Sequence, residues 1–190
     1  MPNWCFNNLQ IKTTDGDRLK VIKKAYDEGK LLSYLVPPPD TDDYKQRGWY
    51  EWNVEFWGTK WEAEICGDCE ITCKGDIYTL ECSFNTAWAP ASEGIENWFR
   101  NYDPPDNCEA ILTYNEPGMG FCGVYCIKDD DEIDIDEFSY YIEYSYDKEG
   151  VYKLRDLENH PNKYISDRLY PVMEDDIHNI EEHLRELEDE

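Results

Sequence analysis

A chain of 190 residues with 43 Asp and Glu against 18 Lys and Arg carries a formal net charge of −25, which argues against direct binding to nucleic acid or to an anionic membrane. Aromatic residues make up 15% of the chain, too many for a disordered acidic tail, so the expectation is a folded protein with an acidic surface. No basic and apolar leader opens the sequence, and no apolar run approaches the ~20 residues of a membrane span, so a cytoplasmic protein is expected.

Residues 3–13 alternate in part, with Trp4 and Phe6 followed by Leu9 and Ile11, and predict a first strand. Asp15 and Asp17 offer caps for a helix over 16–28, with Leu19, Ile22 and Tyr26 on its apolar side and Gly29 at its end. Residues 31–35 run into Pro37-Pro38-Pro39, which predicts an extended segment and then a polar loop over 40–48. Trp49, Trp52, Phe56, Trp57 and Trp61 follow, too many large aromatics to leave in water. Gly75-Asp76 between 70–74 and 77–84 marks a hairpin. A helix is expected over 91–102, with Ile95, Trp98 and Phe99 on one face and Pro104-Pro105 beyond it. Residues 109–114 and 121–127 read as a strand pair around Pro117-Gly118. Strand, helix, two strands, helix, strand, strand is the order of an α+β ferredoxin-like βαββαβ sandwich with an extra edge strand, over residues 1–127.

Residues 128–190 read as an acidic extension packed on the same core. Phe138, Tyr140, Ile142, Tyr144 and Tyr146 share one face of a strand, and Gly150 with 151–157 predicts a return strand. Residues 173–190 predict an amphipathic helix with Ile177, Ile180, Leu184 and Leu187 in one stripe. Residues 127–190 hold seven basic and 22 acidic side chains, so more than half of the excess charge lies in the last third of the chain.

Cys66-Gly67-Asp68-Cys69 has the spacing of half a zinc site. A complete site would require Cys122 and Cys126, which are not spaced as a second such pair, to converge on it. The preferred reading is reduced thiols within strands, with neither metal nor cofactor. The histidines, His160, His178 and His183, complete no Ser-His-Asp or Cys-His set. The acidic run from Asp129 to Glu137 fails the calcium-loop pattern, because Asp134 stands where glycine is needed and Tyr140 where glutamate is needed.

Three segments carry a family resemblance. They are Met1-Pro2-Asn3-Trp4-Cys5-Phe6-Asn7-Asn8-Leu9, Phe56-Trp57-Gly58-Thr59-Lys60-Trp61-Glu62, and Thr86-Ala87-Trp88-Ala89-Pro90 at the start of the second helix. Together they resemble the YubB / Api92-like proteins with a ferredoxin-like domain, over residues 1–127. The resemblance implies a ferredoxin-like fold, a phage or plasmid origin and hence a bacterial host cytoplasm. It implies no catalytic residues.

The expectation is therefore an interaction protein, not an enzyme. Its acidic face would occupy the nucleic-acid-binding groove of a basic host protein, such as a defence nuclease or CRISPR effector, as a nucleic-acid mimic. The candidate contacts are Asp129, Asp130, Asp131, Asp134, Asp136, Tyr141, Glu181, Glu182 and Glu186. The alternative is a small-molecule or nucleotide site at Trp57, Lys60 and Trp61. Oligomeric state is left open by the sequence.

Overall fold

A computed structural model describes residues 3–102, 104–128, 133–139, 148–161 and 165–188. Its elements are β1 (Trp4–Thr13), α1 (Gly16–Asp27), α2 (Leu31–Leu35), α3 (Trp49–Trp57), β2 (Glu64–Lys74), β3 (Ile77–Ala87), α4 (Ser92–Asn101), β4 (Glu109–Glu116), β5 (Phe121–Lys128), β6 (Ile133–Ser139), α5 (Lys148–Asp156) and α6 (Tyr170–Glu188). Single π-helical turns at Tyr44–Gly48 and Ile165–Leu169 lead into α3 and α6. The six strands form one sheet in the order β2-β3-β1-β4-β5-β6, antiparallel at every pairing. Its first four strands, with α1 and α4, make the ferredoxin-like βαββαβ unit expected from the order of sequence patterns.

Alternation along the strands separates two cores. Cys5, Leu9 and Ile11 of β1 face the same side as Leu80, Cys82 and Phe84 of β3 and as Ala110, Leu112 and Tyr114 of β4. Against them pack Leu19, Ile22 and Tyr26 of α1 and Ile95, Trp98 and Phe99 of α4. Helix α1 starts where Asp15 accepts a hydrogen bond from the Arg18 amide at 3.0 Å, an N-cap that satisfies an otherwise orphaned donor.

The described helical part of the acidic extension does not join this core. It builds a second one on the reverse face of the sheet, where Ile111, Cys122, Val124 and Cys126 lie under Val151 and Leu154 of α5, Leu157 just after α5, Leu169 of the turn before α6, and Met173, Ile177 and Ile180 of α6. Positions 173, 177, 180 and 184 repeat at helical spacing, and each large apolar side chain so buried contributes about 1.5–3 kcal/mol. Alternation explains why a second core is required: the β5 residues that point away from α4 are also apolar, and they need a cover.

Two local expectations are corrected, at 31–35 and 151–157, and the aromatic segment at 49–57 is seen to be helical. Residues 31–35 form helix α2, because the Glu62 carboxylate accepts from the Leu32 and Ser33 amides at 2.6 and 2.9 Å and caps that helix start. Residues 49–57 form helix α3, which buries Trp57 and Asn53. Residues 151–157 are helical, not a return strand, since Val151 and Leu154, three positions apart, both reach the second core. The tyrosine-rich strand falls largely outside the described residues: β6 ends at Ser139, and Tyr140, Ile142, Tyr144 and Tyr146 lie beyond them.

Candidate functional site

The acidic surface takes shape on α6. Its apolar stripe is anchored to the sheet, while Glu174, Asp175, Glu182 and Glu186 are exposed. Glu182 and Glu186 stand one helical turn apart, about 6 Å along the axis. Among the described residues, Glu174, Asp175 and Glu182 lie within ion-pair reach of no cation. Glu181 is different. It turns toward α5 and pairs with Arg155, with its own side chain largely buried, so it clamps the two helices and does not extend the acidic face. Asp134 and Asp136 lie on β6, opposite Cys126 and Val124 of β5. Asp129, Asp130, Asp131 and Tyr141 lie outside the described residues. Glu137, also on β6, accepts from the Tyr114 hydroxyl at 3.0 Å. Burial, and then the Glu137 charge, push the Tyr114 phenol well above its usual range.

Within the Trp-Gly-Thr-Lys-Trp segment, Trp57 and Thr59 are buried and serve the scaffold, whereas Lys60 and Trp61 face outward. Trp57 is buried in the first core and donates its indole N–H to the Val36 carbonyl at 2.9 Å, out of reach of any ligand. Thr59, also buried, donates to the Ala87 carbonyl at 3.1 Å and accepts from the Ala87 amide at 3.0 Å. Asn53 donates to the Lys60 carbonyl at 2.9 Å. Lys60 and Trp61 sit at the surface with the ammonium 4.5 Å from the indole centroid, a cation–π contact. The Asn7-to-Ala91 network plays the same part at the start of α4. Asn7 donates to Cys5 O and Thr86 Oγ1, each at 2.8 Å, and accepts from the Ala91 amide at 3.3 Å.

The four cysteines considered for zinc are not brought together. Cys66 and Cys69 lie on β2, whereas Cys122 and Cys126 lie on β5 with β3, β1 and β4 between them. At about 4.8 Å per strand this separates the pairs by roughly 19 Å. The described residues contain no group of three or more metal-ligating side chains suited to an ion.

One surface was not picked out from sequence. The described C-terminal helices cover the reverse face over β4 and β5, but over β1 and β3 that face carries exposed Phe6 and Asn8 and half-exposed Ser83 and Asn85. A groove of about 460 Å³ runs there, lined by Phe6, Asn8, Ser83, Thr113, Asn115 and Leu169 among others. Asn8 donates to Ser83 Oγ at 3.0 Å, and Asn85 Oδ1, at the position paired with Phe6, is buried without a hydrogen-bond donor. The signal available in sequence was Phe6 itself, an aromatic on the polar side of an alternating strand.

Among the described residues no helix is long and apolar enough to cross a membrane. No curated protein matches the chain. The crystal structure of the protein Api92 from Yersinia pseudotuberculosis is 18% identical to it with a TM-score of 0.35, over 49% of this chain and 31% of that one, so the chain spans about a third of that relative's length. The family model for the ferredoxin-like domain in Api92-like protein matches residues 56–156, which carries the match through β6 and α5. That match takes in more than half of the sequence and includes five of the six strands, and the chain belongs to the Api92-like family through this ferredoxin-like domain.

Proposed function

We propose that this chain is an acidic interaction protein that docks on the basic nucleic-acid-binding groove of a host protein and blocks it, a defence nuclease or CRISPR effector being the class of target. The observation that carries the reading is the construction of α6: exposed Glu174, Asp175, Glu182 and Glu186 on a helix whose opposite stripe is fixed to the sheet. Acids on a fixed backbone present charge to a basic groove without first having to be ordered, and ordering cost is what weakens flexible acidic tails as binders. Asp134 and Asp136 lie on edge strand β6, in register with Cys126 and Val124 of β5. The function is binding, with affinity and rate governed by charge.

Competition against DNA on purified basic nucleases tests this. The protein is expected to displace DNA at low salt, and the combined substitutions Glu174→Gln, Asp175→Asn, Glu182→Gln and Glu186→Gln to abolish displacement while the fold is retained. Equal competition by the variant overturns the assignment to α6. A second reading is favoured by the groove beside Phe6, where an aromatic face and carboxamides would accept a planar small molecule. It predicts that a nucleotide panel raises the melting temperature, and that Phe6→Ala removes the rise but leaves DNA competition intact.

A further inference from the structure

The geometry points to a thiol–disulfide exchange site at Cys69 and Cys82, a pair that reacts with a small disulfide such as oxidised glutathione and closes into a reversible cross-strand disulfide. Among the described strand pairings this is the one place where two cysteines stand opposite each other. Directly opposed residues of an antiparallel pair have Cα atoms about 4.5–5.5 Å apart, inside the roughly 4.4–6.8 Å span of a disulfide. Both side chains point to the same, core-facing side of the sheet, and all eight thiols are unbridged.

Access and reactivity are asymmetric. Strand β2 is the sheet edge, and its pairing with β3 is interrupted between Ile65 and Cys69. A depression of about 370 Å³, lined by Lys23, Tyr26, Asp27, Gly67 and Cys69 among others, opens at that interruption and reaches Cys69 from solvent. Cys82 lies behind it, 1% exposed. The Cys82 thiol donates toward Cys69 and, with the nearby Lys23 ammonium, holds the Cys69 thiol below its usual range; the same hydrogen bond and burial push Cys82 up. Cys66, exposed and lining the groove beside Phe6 instead of this depression, is pushed up by partial burial and by Glu64, so Cys69 is the best placed nucleophile of the three.

The steps balance. The Cys69 thiolate attacks one sulfur of oxidised glutathione, the S–S bond breaks, and one glutathione thiolate leaves and takes a proton. The Cys82 thiol loses its proton to solvent and attacks the Cys69 sulfur, which expels the second glutathione. Two protein thiols are oxidised and one glutathione disulfide is reduced to two thiols. The product ties edge strand β2 to β3.

The test uses the full chain, incubated natively with graded ratios of oxidised to reduced glutathione, acid-quenched, alkylated in denaturant and mapped by mass spectrometry. A peptide linking Cys69 to Cys82 is expected, lost again on adding reduced glutathione. Cys82→Ser is expected to accumulate glutathione on Cys69, and the double variant Cys66→Ser, Cys73→Ser to form the link as the parent does, with folding checked by circular dichroism. Glutathione on Cys66 or Cys73 alone, a Cys66–Cys69 link, or a Cys69–Cys82 link that forms only in urea overturns the proposal.

Discussion

At the scale of a residue, Tyr26 does the most with a single atom. Its hydroxyl lies 2.7 Å from the Gly67 carbonyl and 2.6 Å from the Ser83 carbonyl, and so bridges the irregular part of β2 to β3. Tyr26→Phe leaves both carbonyls short of that donor in a site only 2% exposed at the tyrosine. The expected loss is about 1–3 kcal/mol, read from the urea midpoint at constant m-value. The same residue sets a pH response. Burial pushes its phenol from 10.0 to about 12, so the unfolded chain releases this proton first as pH rises. Its contribution to stability is therefore complete below pH ~10 and is lost as pH climbs through ~12. Tyr114 and Tyr125 are shifted in the same direction by burial and by Glu137 and Glu96 respectively. Urea midpoints measured between pH ~9 and ~12 should fall steadily, and the Tyr26→Phe variant should show a shallower fall over the same window.

At the scale of an element, α3 shows what was legible and what was not. Gly58 closes the helix at φ +77°, with its amide donating to Val54 O at 3.2 Å. A Cβ there would collide with the Glu93 carboxylate and come within 3.0 Å of the Pro90 carbonyl, whose backbone cannot swing aside. Gly58→Ala should therefore cost about 1–3 kcal/mol, with a lower thermal midpoint and an unchanged circular dichroism spectrum at low temperature. The helix itself escaped the reading although Trp49, Trp52 and Phe56 fall at i, i+3 and i+7, because Trp57 and Trp61 blur that stripe into a general aromatic crowd. The βαββαβ order was readable because each of its strands alternates and each of its helices has a cap or a terminating Gly or Pro. Helix α5 was not, since Tyr152 and Leu154 alternate with Lys153 and Arg155, and only packing under α6 decides between the two periods. The acidic site was readable as composition on a helix. That Glu181 is absorbed by Arg155 was not, because the pair lies 26 residues apart on two helices whose contact no local pattern encodes.

At the scale of the molecule, the net charge of −25 acts on two equilibria with opposite sign. Within the chain, excess carboxylates repel one another and raise the free energy of the compact state. Many described lysines already sit beside acids, as Lys12 does with Glu109 and Lys23 with Asp27, each at 2.8 Å, so added salt screens few attractions worth keeping: exposed pairs of this kind contribute about 0–1 kcal/mol. Raising NaCl from ~20 to ~500 mM shortens the screening length from about 20 Å to about 4 Å and should raise the melting temperature. Between the chain and a basic partner the same carboxylates attract, so the same titration should weaken the complex, chiefly by slowing association. The two readouts separate the charge-driven reading from an apolar one. A complex that persists or tightens as salt stabilises the free protein would have to be held by a surface such as the groove beside Phe6, and the α6 carboxylates would then serve solubility alone.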